Sequence, residues 1–512
     1  MGIAISGKTI PECIARHAEQ DPDAHCLSIF HRGQWQRVSR SQFQDAVERH
    51  ASRFSTAFEP GELVLFIKRL DLDALAAYIG AMQAGVLPAM LSPTSSKLSV
   101  EEYRRKLEHV LELTRAGGIF ADSDAVIAPA AVTFLTPDTP MAESPCTSRS
   151  PIPQALVQFS SGSTGLQKGV VLTHQNVIAH MEDYTASIEL SAEDTIISWL
   201  PLYHDMGLIA CYLMPLMSGV PVMLMDPFDW ILKPDLLLET IARDRPTLCY
   251  LPNFAYHVLV NKGKERDLSS VRLFVNCSEP ARDLTHRAFR DKFPSVHPAA
   301  LAVCYALAEN TFAVSQTLPN APESSRRIAD KVVPSCGQVL PRTEVRILEP
   351  NEDGVGEIAL RGPYLFSHYL GSDLPPEQDF YRTGDLGLLT EDGQLFVTGR
   401  KKDLIIANGK NIYPQDVEQV CSIQPGVYPG RAVAFGVTNE TAGSEELYVI
   451  VERDGSLEDL PLKLAVQKSI ENEVGIVPKR VEVVDHMRLV KTSSGKISRS
   501  RNKELYLLGE LR

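Results

Sequence analysis

Short apolar runs alternate with helical patterns near the start of the chain. Residues 62–69 (ELVLFIKR) form an apolar run of strand length. Residues 72–85 then carry apolar positions at helical spacing up to Gly85, and 86–91 (VLPAML) is the next run. Residues 25–91 therefore predict strand, helix, strand, helix, strand, an order typical of a parallel, doubly wound sheet.

The same alternation returns from Ala155 to about residue 320. Its short apolar segments, each predicted to be a strand, are 221–227, 246–252, 271–277 and 300–306. Between the two regions, residues 122–153 contain Pro, Ala, Ser and Asp without a clear period. We interpret that stretch as a connector.

The pattern changes again in the last third of the chain. Residues 332–398 are rich in strand and turn signals, whereas the chain after Arg400 restarts with a helix from Gln415 followed by three predicted strands. These patterns predict an α/β fold with a large N-terminal domain, residues 1–399, made of doubly wound sheets plus a β-rich subdomain. A hinge at 400–402 and a small α+β C-terminal domain, 403–512, follow.

Composition narrows the class of protein. The chain has 512 residues with 44% apolar and 22% charged residues, as expected of a soluble protein with two or more structural units. A net charge of −13 argues against a nucleic-acid partner. Nine scattered cysteines without a CxxC pair favour a reducing compartment. With no signal peptide and no apolar run long enough to span a bilayer, we expect a cytoplasmic protein without stable membrane insertion.

A segment rich in small hydroxyl residues, SSGSTGLQKG at 160–169, follows the apolar strand ALVQF. Small residues let the backbone approach a phosphate closely, hydroxyl and N–H groups donate hydrogen bonds, and Lys168 adds positive charge. The spacing differs from that of a Walker A loop. A flexible linker is the alternative, but a linker gives no reason for the Lys-Gly-Val-Val-Leu-Thr-His sequence at its end.

This segment resembles the phosphate loop of the adenylate-forming superfamily, which includes acyl-CoA synthetases, fatty acyl-AMP ligases, luciferases and peptide-synthetase adenylation domains. Further segments resemble that superfamily's motifs in the same order: WLPLYHDMG at 199–207, NCSEP at 276–280, YALAENT at 305–311, YRTGDLG at 381–387, GRKKD at 399–403 and KTSSGKI at 491–497. The match covers nearly the whole chain. Residues 198–209 and 409–418 look most like the fatty acyl-AMP ligases.

The resemblance implies ATP and Mg²⁺ as cofactors and a carboxylic acid as substrate. It assigns Glu309 to Mg²⁺ and to catalysis, Lys496 to bridging the carboxylate and phosphate in the first step, and Lys402 to the hinge of a mobile lid. Binding of ATP or AMP is assigned to Ser160, Ser161, Gly162, Ser163, Thr164, Gly165, Lys168, Ser278, Glu279, Pro280, Tyr305, Asp385 and Arg400.

The same resemblance places Trp199, Met206, Ala210 and Cys211 at the acyl pocket. Ala210 and Cys211 stand where these ligases often have glycines, so a narrower or shorter acyl channel is expected. His204 is a catalytic candidate that gates the pocket or contacts the carboxylate. The alternative for His204 is an ordinary packed histidine.

The expected acceptor is the phosphopantetheine thiol of an acyl carrier protein. Fatty acyl-AMP ligases generally carry an insertion, thought to hamper the use of CoA, and the stretch 318–333 looks short for it. An acyl-CoA ligase therefore stays open as the alternative. A non-catalytic adenylate-binding protein is a third possibility. The presence of all five charged motif residues argues against it; they are Lys168, Glu309, Asp385, Arg400 and Lys496.

Overall fold

The computed structural model describes residues 3, 5–93, 100–122, 132–140, 151–160, 168–322, 324–328, 331–372, 379–407, 410–439, 444–492 and 496–511. Helices up to residue 300 are α1 Ile10–Gln20, α2 Arg40–Ala57, α3 Leu72–Gln83, α4 Val100–Thr114, α5 His174–Ser187, α6 Met214–Ser218, α7 Pro227–Leu232, α8 Asp235–Asp244, α9 Asn253–Lys262 and α10 Asp283–Lys292. A π-helix, Met206–Leu213, precedes α6.

The strands up to residue 400 are β1 His25–His31, β2 Gln34–Ser39, β3 Leu63–Ile67, β4 Leu87–Met90, β5 Gly118–Ala121, β6 Thr133–Leu135, β7 Gln154–Ser160, β8 Lys168–Thr173, β9 Ile196–Ser198, β10 Val222–Met225, β11 Leu248–Leu251, β12 Leu273–Asn276, β13 Leu301–Ala306, β14 Ala313–Gln316, β15 Ser325–Ile328, β16 Lys331–Pro334, β17 Gln338–Val339, β18 Glu344–Leu348, β19 Gly356–Arg361, β20 His368–Tyr369, β21 Tyr381–Leu389 and β22 Leu395–Arg400.

The remaining elements are β23 Ile405–Ala407, β24 Lys410–Ile412, α11 Pro414–Ser422, β25 Val427–Asn439, β26 Ser444–Arg453, α12 Asp459–Val474, β27 Arg480–Val484 and α13 Arg499–Leu507. Short 3₁₀ helices lie at Pro298–Ala300, Ala308–Asn310 and Lys401–Asp403.

Two large sheets dominate the N-terminal part. One has the strand order β17-β14-β13-β12-β11-β9-β10-β1-β2, and the other has the order β20-β8-β7-β4-β3-β5-β6. The central strands of both sheets run parallel, which confirms the α/β prediction. Both margins of the first sheet and the β20-β8-β7 margin of the second are antiparallel, whereas β6 pairs in parallel with β5 at the remaining margin.

Strand β3 shows why one sheet needs cover on both faces. Its alternate residues Val64 and Phe66 join the main core with α3, whereas Leu63, Leu65 and Ile67 join a second apolar cluster with α4. Two details differ from the sequence analysis. Strand β2 was not predicted, and the stretch interpreted as a connector contains the short strand β6.

The β-rich region is a four-stranded antiparallel sheet with the order β18-β19-β21-β22. The hairpin of β15 and β16 packs Ile328 and Val333 against Leu388 and Phe396 of that sheet. The two strands of this hairpin include residues 325–328 and 331–333 of the stretch that looked short for an insertion.

The C-terminal part has its own three-stranded sheet of β25, β26 and β27. One face, including Ala434 and Val449, packs on α11 and α12, while the other face, including Val433 and Ile450, packs on α13. Both of these apolar clusters consist of residues numbered 405 or higher. Among the described helices, none has the length and apolar character to cross a bilayer.

Candidate functional site

Several predicted site residues lie just beyond the ends of neighbouring parallel strands. Strands β12 and β13 pair in parallel, and Ser278 follows the first while Glu309 follows the second. Crevices outside the carboxyl ends of such strands are common binding sites in α/β proteins. Asp385 and Arg400 reach the same region from the paired strands β21 and β22, where they face each other.

Asp385 is held from two sides. Its Oδ2 accepts a hydrogen bond of 2.6 Å from the Tyr305 hydroxyl, and its Oδ1 lies 3.1 Å from Arg400 Nε. Burial, followed by the Asp385 charge, raises the pKa of Tyr305, so the phenol stays a donor. The Asp385 charge also raises the pKa of the half-exposed Arg400. A fixed carboxylate beside a guanidinium suits recognition of a pair of ribose hydroxyls.

Glu309 lies in the 3₁₀ turn after β13. Thr311, with a φ of 63° and its hydroxyl bonded to the Tyr364 oxygen at 2.7 Å, closes this turn. The Tyr369 hydroxyl donates to Glu309 Oε1 at 3.1 Å. Burial raises the pKa of Glu309, and among the described residues it forms no ion pair with a lysine or arginine.

This setting fits a divalent cation. A buried carboxylate has lost much of its hydration, so a neighbouring cation stabilises its ionised form. The described residues contain no cluster of three or more His, Cys, Asp or Glu side chains able to enclose a metal. The partly buried Glu309 carboxylate is the kind of ligand that Mg²⁺ uses, since this ion is usually held by one or two carboxylates together with substrate phosphates and water.

The lysine of the predicted phosphate loop, Lys168, also contacts Tyr369. Lys168 begins β8, and its Nζ lies 4.7 Å from the centre of the Tyr369 ring. Ser160 ends β7. The predicted phosphate-binding residues Ser161, Gly162, Ser163, Thr164 and Gly165 lie outside the described residues, so their assignment stays a prediction.

Lys496 reaches this site from the C-terminal part of the chain. Its Nζ donates a hydrogen bond of 2.5 Å to the backbone oxygen of Ser278, a residue with a φ of 70°. Burial lowers the pKa of Lys496, and the nearby carboxylates of Glu279 and Asp205 act in the opposite direction. Glu279 is itself fixed by the Phe254 N–H at 2.9 Å, and Pro280 follows it on the exposed side of the loop.

His204 and Asp205 stand at the start of the π-helix. Asp205 Oδ1 accepts from the Met206 N–H at 2.8 Å and lies 3.3 Å from His204 Nδ1. Burial opposes ionisation of Asp205, but the hydrogen bond and charge of His204 outweigh it and lower the pKa of Asp205. His204 is therefore oriented by a neighbouring carboxylate, an arrangement often found for functional histidines.

The predicted acyl-pocket residues all belong to the main apolar core. Trp199 stacks on Trp230 with 3.7 Å between ring centroids, and Met206 Sδ lies 3.9 Å from the Ser278 hydroxyl. Ala210 and Cys211 are fully buried in the π-helix. Their effect on an acyl channel stays a prediction.

The predicted hinge is a short junction after β22. Lys401 binds Glu357 at 3.0 Å, and burial lowers the pKa of Lys402. Beyond the junction, Arg499 forms ion pairs of 2.8 Å with Asp403 and 2.7 Å with Glu418.

A further contact joins the N-terminal part to the C-terminal part. Arg282, four residues after Ser278, donates to the Gln415 backbone oxygen at 2.6 Å. The Gln415 amide in turn donates to the Thr398 oxygen at 2.8 Å. The sequence predicts no separate role for Arg282, Asp205 or Tyr369. Arg282 and Tyr369 contact residues that are distant in the chain. Asp205 caps a π-helix that the sequence pattern does not predict.

The sequence pattern that defines AMP-binding enzymes matches residues 14–370. A long-chain-fatty-acid–AMP ligase of Mycobacterium tuberculosis is 29% identical, with 98% of each chain covered. A medium-chain-fatty-acid–[acyl-carrier-protein] ligase of Moorena producens is 30% identical over 93% of this chain and 90% of that protein.

Similarity in structure agrees with similarity in sequence. A solved structure from a study of fatty acyl-adenylate ligases of E. coli and L. pneumophila has a TM-score of 0.90 and 26% identity, covering 99% of both chains.

Proposed function

Because the chain belongs to the family of AMP-binding enzymes, we propose that it activates a carboxylic acid with ATP and passes the acyl group to a carrier-protein thiol. In the first half-reaction a carboxylate oxygen bonds to the α-phosphorus, and the bond to pyrophosphate breaks. In the second, the thiol sulfur bonds to the acyl carbon and AMP leaves. The acid is a fatty acid, in keeping with the relatives named above.

The observation that carries this proposal is the position of Lys496. Its ammonium group sits against Ser278, near the carboxylates of Glu279 and Asp205, although it belongs to the other end of the chain. An oriented cation in a site of reduced hydration stabilises the charge that develops when two anions react. The position of Lys496 therefore supports adenylate formation as the first half-reaction.

The other residues take complementary roles in this proposal. Asp385 and Arg400 bind the ribose, Ser278, Glu279, Pro280 and Tyr305 shape the nucleotide site, and Lys168 with the loop from Ser160 to Gly165 binds the β- and γ-phosphates. Mg²⁺, when bound at Glu309, supplies charge neutralisation for the phosphates. His204, held by Asp205, faces the acid, and Trp199, Met206, Ala210 and Cys211 form the apolar wall.

We also propose that residues 403–512 act as a lid that turns about Lys402. Lys496 then leaves the site after the first half-reaction, which opens a path for the thiol. The Arg282–Gln415 contact and the Lys496–Ser278 contact would break together during this rotation. The hydrogen bonds thus favour the adenylate-forming arrangement.

The experiment that tests the function follows pyrophosphate release across a panel of carboxylic acids of different chain length. The best acid is then used with CoA and with holo-acyl carrier proteins at matched concentrations. We expect a carrier protein to be acylated with a much higher kcat/KM than CoA. CoA equalling every carrier tested would identify an acyl-CoA ligase, and absence of acid-dependent pyrophosphate release would reject ligase activity altogether.

Replacing Arg282 tests the proposed lid. Arg282→Ala removes a charge-assisted hydrogen bond that joins the N-terminal part to the proposed lid in this orientation. Such a bond contributes about 1.5–3 kcal/mol, so we expect adenylate formation to fall about tenfold or more. Thiolation of supplied acyl-adenylate should be unchanged or faster, as measured in separate half-reaction assays.

Arg287→Ala is the matched control, since Arg287 lies on α10 and forms an ion pair of 2.6 Å with Asp283, four residues before it on the same helix. It should leave both half-reactions intact. An equal loss of both half-reactions in Arg282→Ala, at unchanged melting temperature, would reject a role in lid orientation.

A further inference from the structure

Tyr369 occupies a position between two groups of the site that the sequence assigns to different motifs. It belongs to β20, which pairs with β8, the strand that starts at Lys168. The Leu370 N–H donates to the Gly169 oxygen at 2.7 Å, and Ser367 N–H to the Val171 oxygen at 2.9 Å. These backbone bonds fix Tyr369 relative to the phosphate-loop lysine.

The two parts of the Tyr369 side chain contact different partners. The ring faces Lys168, whose Nζ lies 4.7 Å from the ring centre, a distance typical of a cation–π contact. The hydroxyl lies 3.1 Å from Glu309 Oε1 and 3.0 Å from the Tyr381 hydroxyl. The Phe366 ring, 4.6 Å away between centroids, supports the Tyr369 ring from the side.

The hydroxyl contacts have a definite direction. A phenol has one hydrogen to donate, and ionised Glu309 can only accept. Tyr369 therefore donates to Glu309, and Tyr381 donates to Tyr369. Burial, followed by the Glu309 charge, raises the pKa of Tyr369, so the phenol remains protonated.

We infer that Tyr369 is a positioning residue that sets both charged groups for ATP, holding the Glu309 carboxylate through its hydroxyl and the Lys168 ammonium through its ring. The inference rests on the proposed function, because it takes Glu309 as the Mg²⁺ ligand and Lys168 as a phosphate ligand. Its particular consequence is that the two effects are separable by substitution. The hydroxyl should affect the affinity for Mg²⁺, whereas the ring should affect the affinity for the nucleotide phosphates when no metal is present.

Two variants separate these effects. Tyr369→Phe keeps the ring and removes the hydroxyl, whereas Tyr369→Leu removes both. Partners that orient a metal ligand typically change metal affinity by 10- to 100-fold, so we expect both variants to need about tenfold more Mg²⁺. Only Tyr369→Leu should weaken binding of the metal-free nucleotide, by about two- to fivefold, the size of an exposed cation–π contact.

The readout is binding rather than turnover. Isothermal titration calorimetry with α,β-methylene-ATP, which cannot release pyrophosphate, gives Kd in EDTA and across a Mg²⁺ series. Tyr428→Phe, a tyrosine of the C-terminal part that stacks on His486, is the control and should match the wild type. In a Lys168→Ala background the difference in EDTA between the two Tyr369 variants should vanish.

Tyr381→Phe gives a second measurement that leaves Tyr369 in place. Losing the donor to the Tyr369 hydroxyl should raise the Mg²⁺ requirement in the same direction, but by less than Tyr369→Phe. An unchanged Mg²⁺ requirement in Tyr369→Phe, or equal loss of metal-free binding in the Phe and Leu variants, would overturn the inference. Failure of the proposed function has a different signature, since wild-type protein would then bind nucleotide but release no pyrophosphate with any acid.

Discussion

Lys496→Ala should lower the rate of adenylate formation by roughly 10²–10³-fold, the usual effect of losing one oriented donor to a charged transition state. Thiolation of supplied acyl-adenylate should remain close to wild type. The reason is geometric: Lys496 contacts Ser278 in this structure, and the proposed lid rotation would remove that contact before thiolation. Acid-dependent pyrophosphate release and acyl transfer from synthetic acyl-adenylate measure the two half-reactions separately.

Lys468→Ala is a suitable control, because Lys468 is an exposed lysine on α12 of the same C-terminal sheet-and-helix unit. It should leave both rates unchanged. If Lys496→Ala reduced both half-reactions equally, Lys496 would be a general structural element rather than a residue of the first step.

The pKa of Lys496 adds a dependence on pH. Burial lowers this pKa, so the free enzyme loses the ammonium charge at a lower pH than an ordinary lysine does. The profile of kcat/KM for adenylate formation reports groups of the free enzyme. It should therefore fall on its alkaline side through the lowered pKa, and thiolation should lack this limb.

The sequence predicted the fold most accurately where the spacing of apolar residues and the order of the predicted strands and helices agree. The apolar run ahead of Leu72–Gln83 and the run after it became neighbouring parallel strands around a helix buried along most of its length. Strand β2 was not predicted because four of its six residues are polar and three are exposed. The available signal was the Arg32-Gly33 turn before it, because both residues have positive φ, as in a two-residue hairpin turn.

The sequence predicted those residues of the candidate site that belong to recognisable motifs. Asp385, Arg400 and Glu309 were proposed from their motifs, and the structure places Asp385 directly beside Arg400. Tyr369 could not be proposed, since its link to Lys168 depends on a short antiparallel pairing between segments about 200 residues apart. Arg282 is similar, because its partner is a backbone oxygen and carries no side-chain signature.

Glu309→Gln should separate metal binding from the shape of the site. The amide keeps an oxygen that can accept the Tyr369 hydroxyl, but it removes the charge that would hold Mg²⁺. Because a bound metal contributes several kcal/mol to stabilising the phosphate charges, we expect pyrophosphate release to fall at least about a hundredfold at low Mg²⁺. The half-saturating Mg²⁺ concentration should rise, as measured from initial rates across a Mg²⁺ series.

Glu352→Gln, at an exposed turn, is the matched control and should leave the Mg²⁺ dependence unchanged. A wild-type Mg²⁺ dependence in Glu309→Gln would remove Glu309 from the metal site.

The same substitution has an opposite expected effect on stability. Burial raises the pKa of Glu309 in the folded protein. The contribution of Glu309 to the free energy of unfolding is therefore most favourable at low pH, where the group is neutral, and is lost as pH rises through the raised pKa. At neutral pH the raised pKa of this carboxyl group therefore disfavours the folded protein unless a cation is bound. Glutamine is neutral at every pH, and ligand-free Glu309→Gln should melt at the same or a higher temperature than the wild type. A lower melting temperature, with the Tyr369 hydrogen bond retained, would mean that the Glu309 charge is compensated within the protein, which would weaken the case for a cation at this carboxylate.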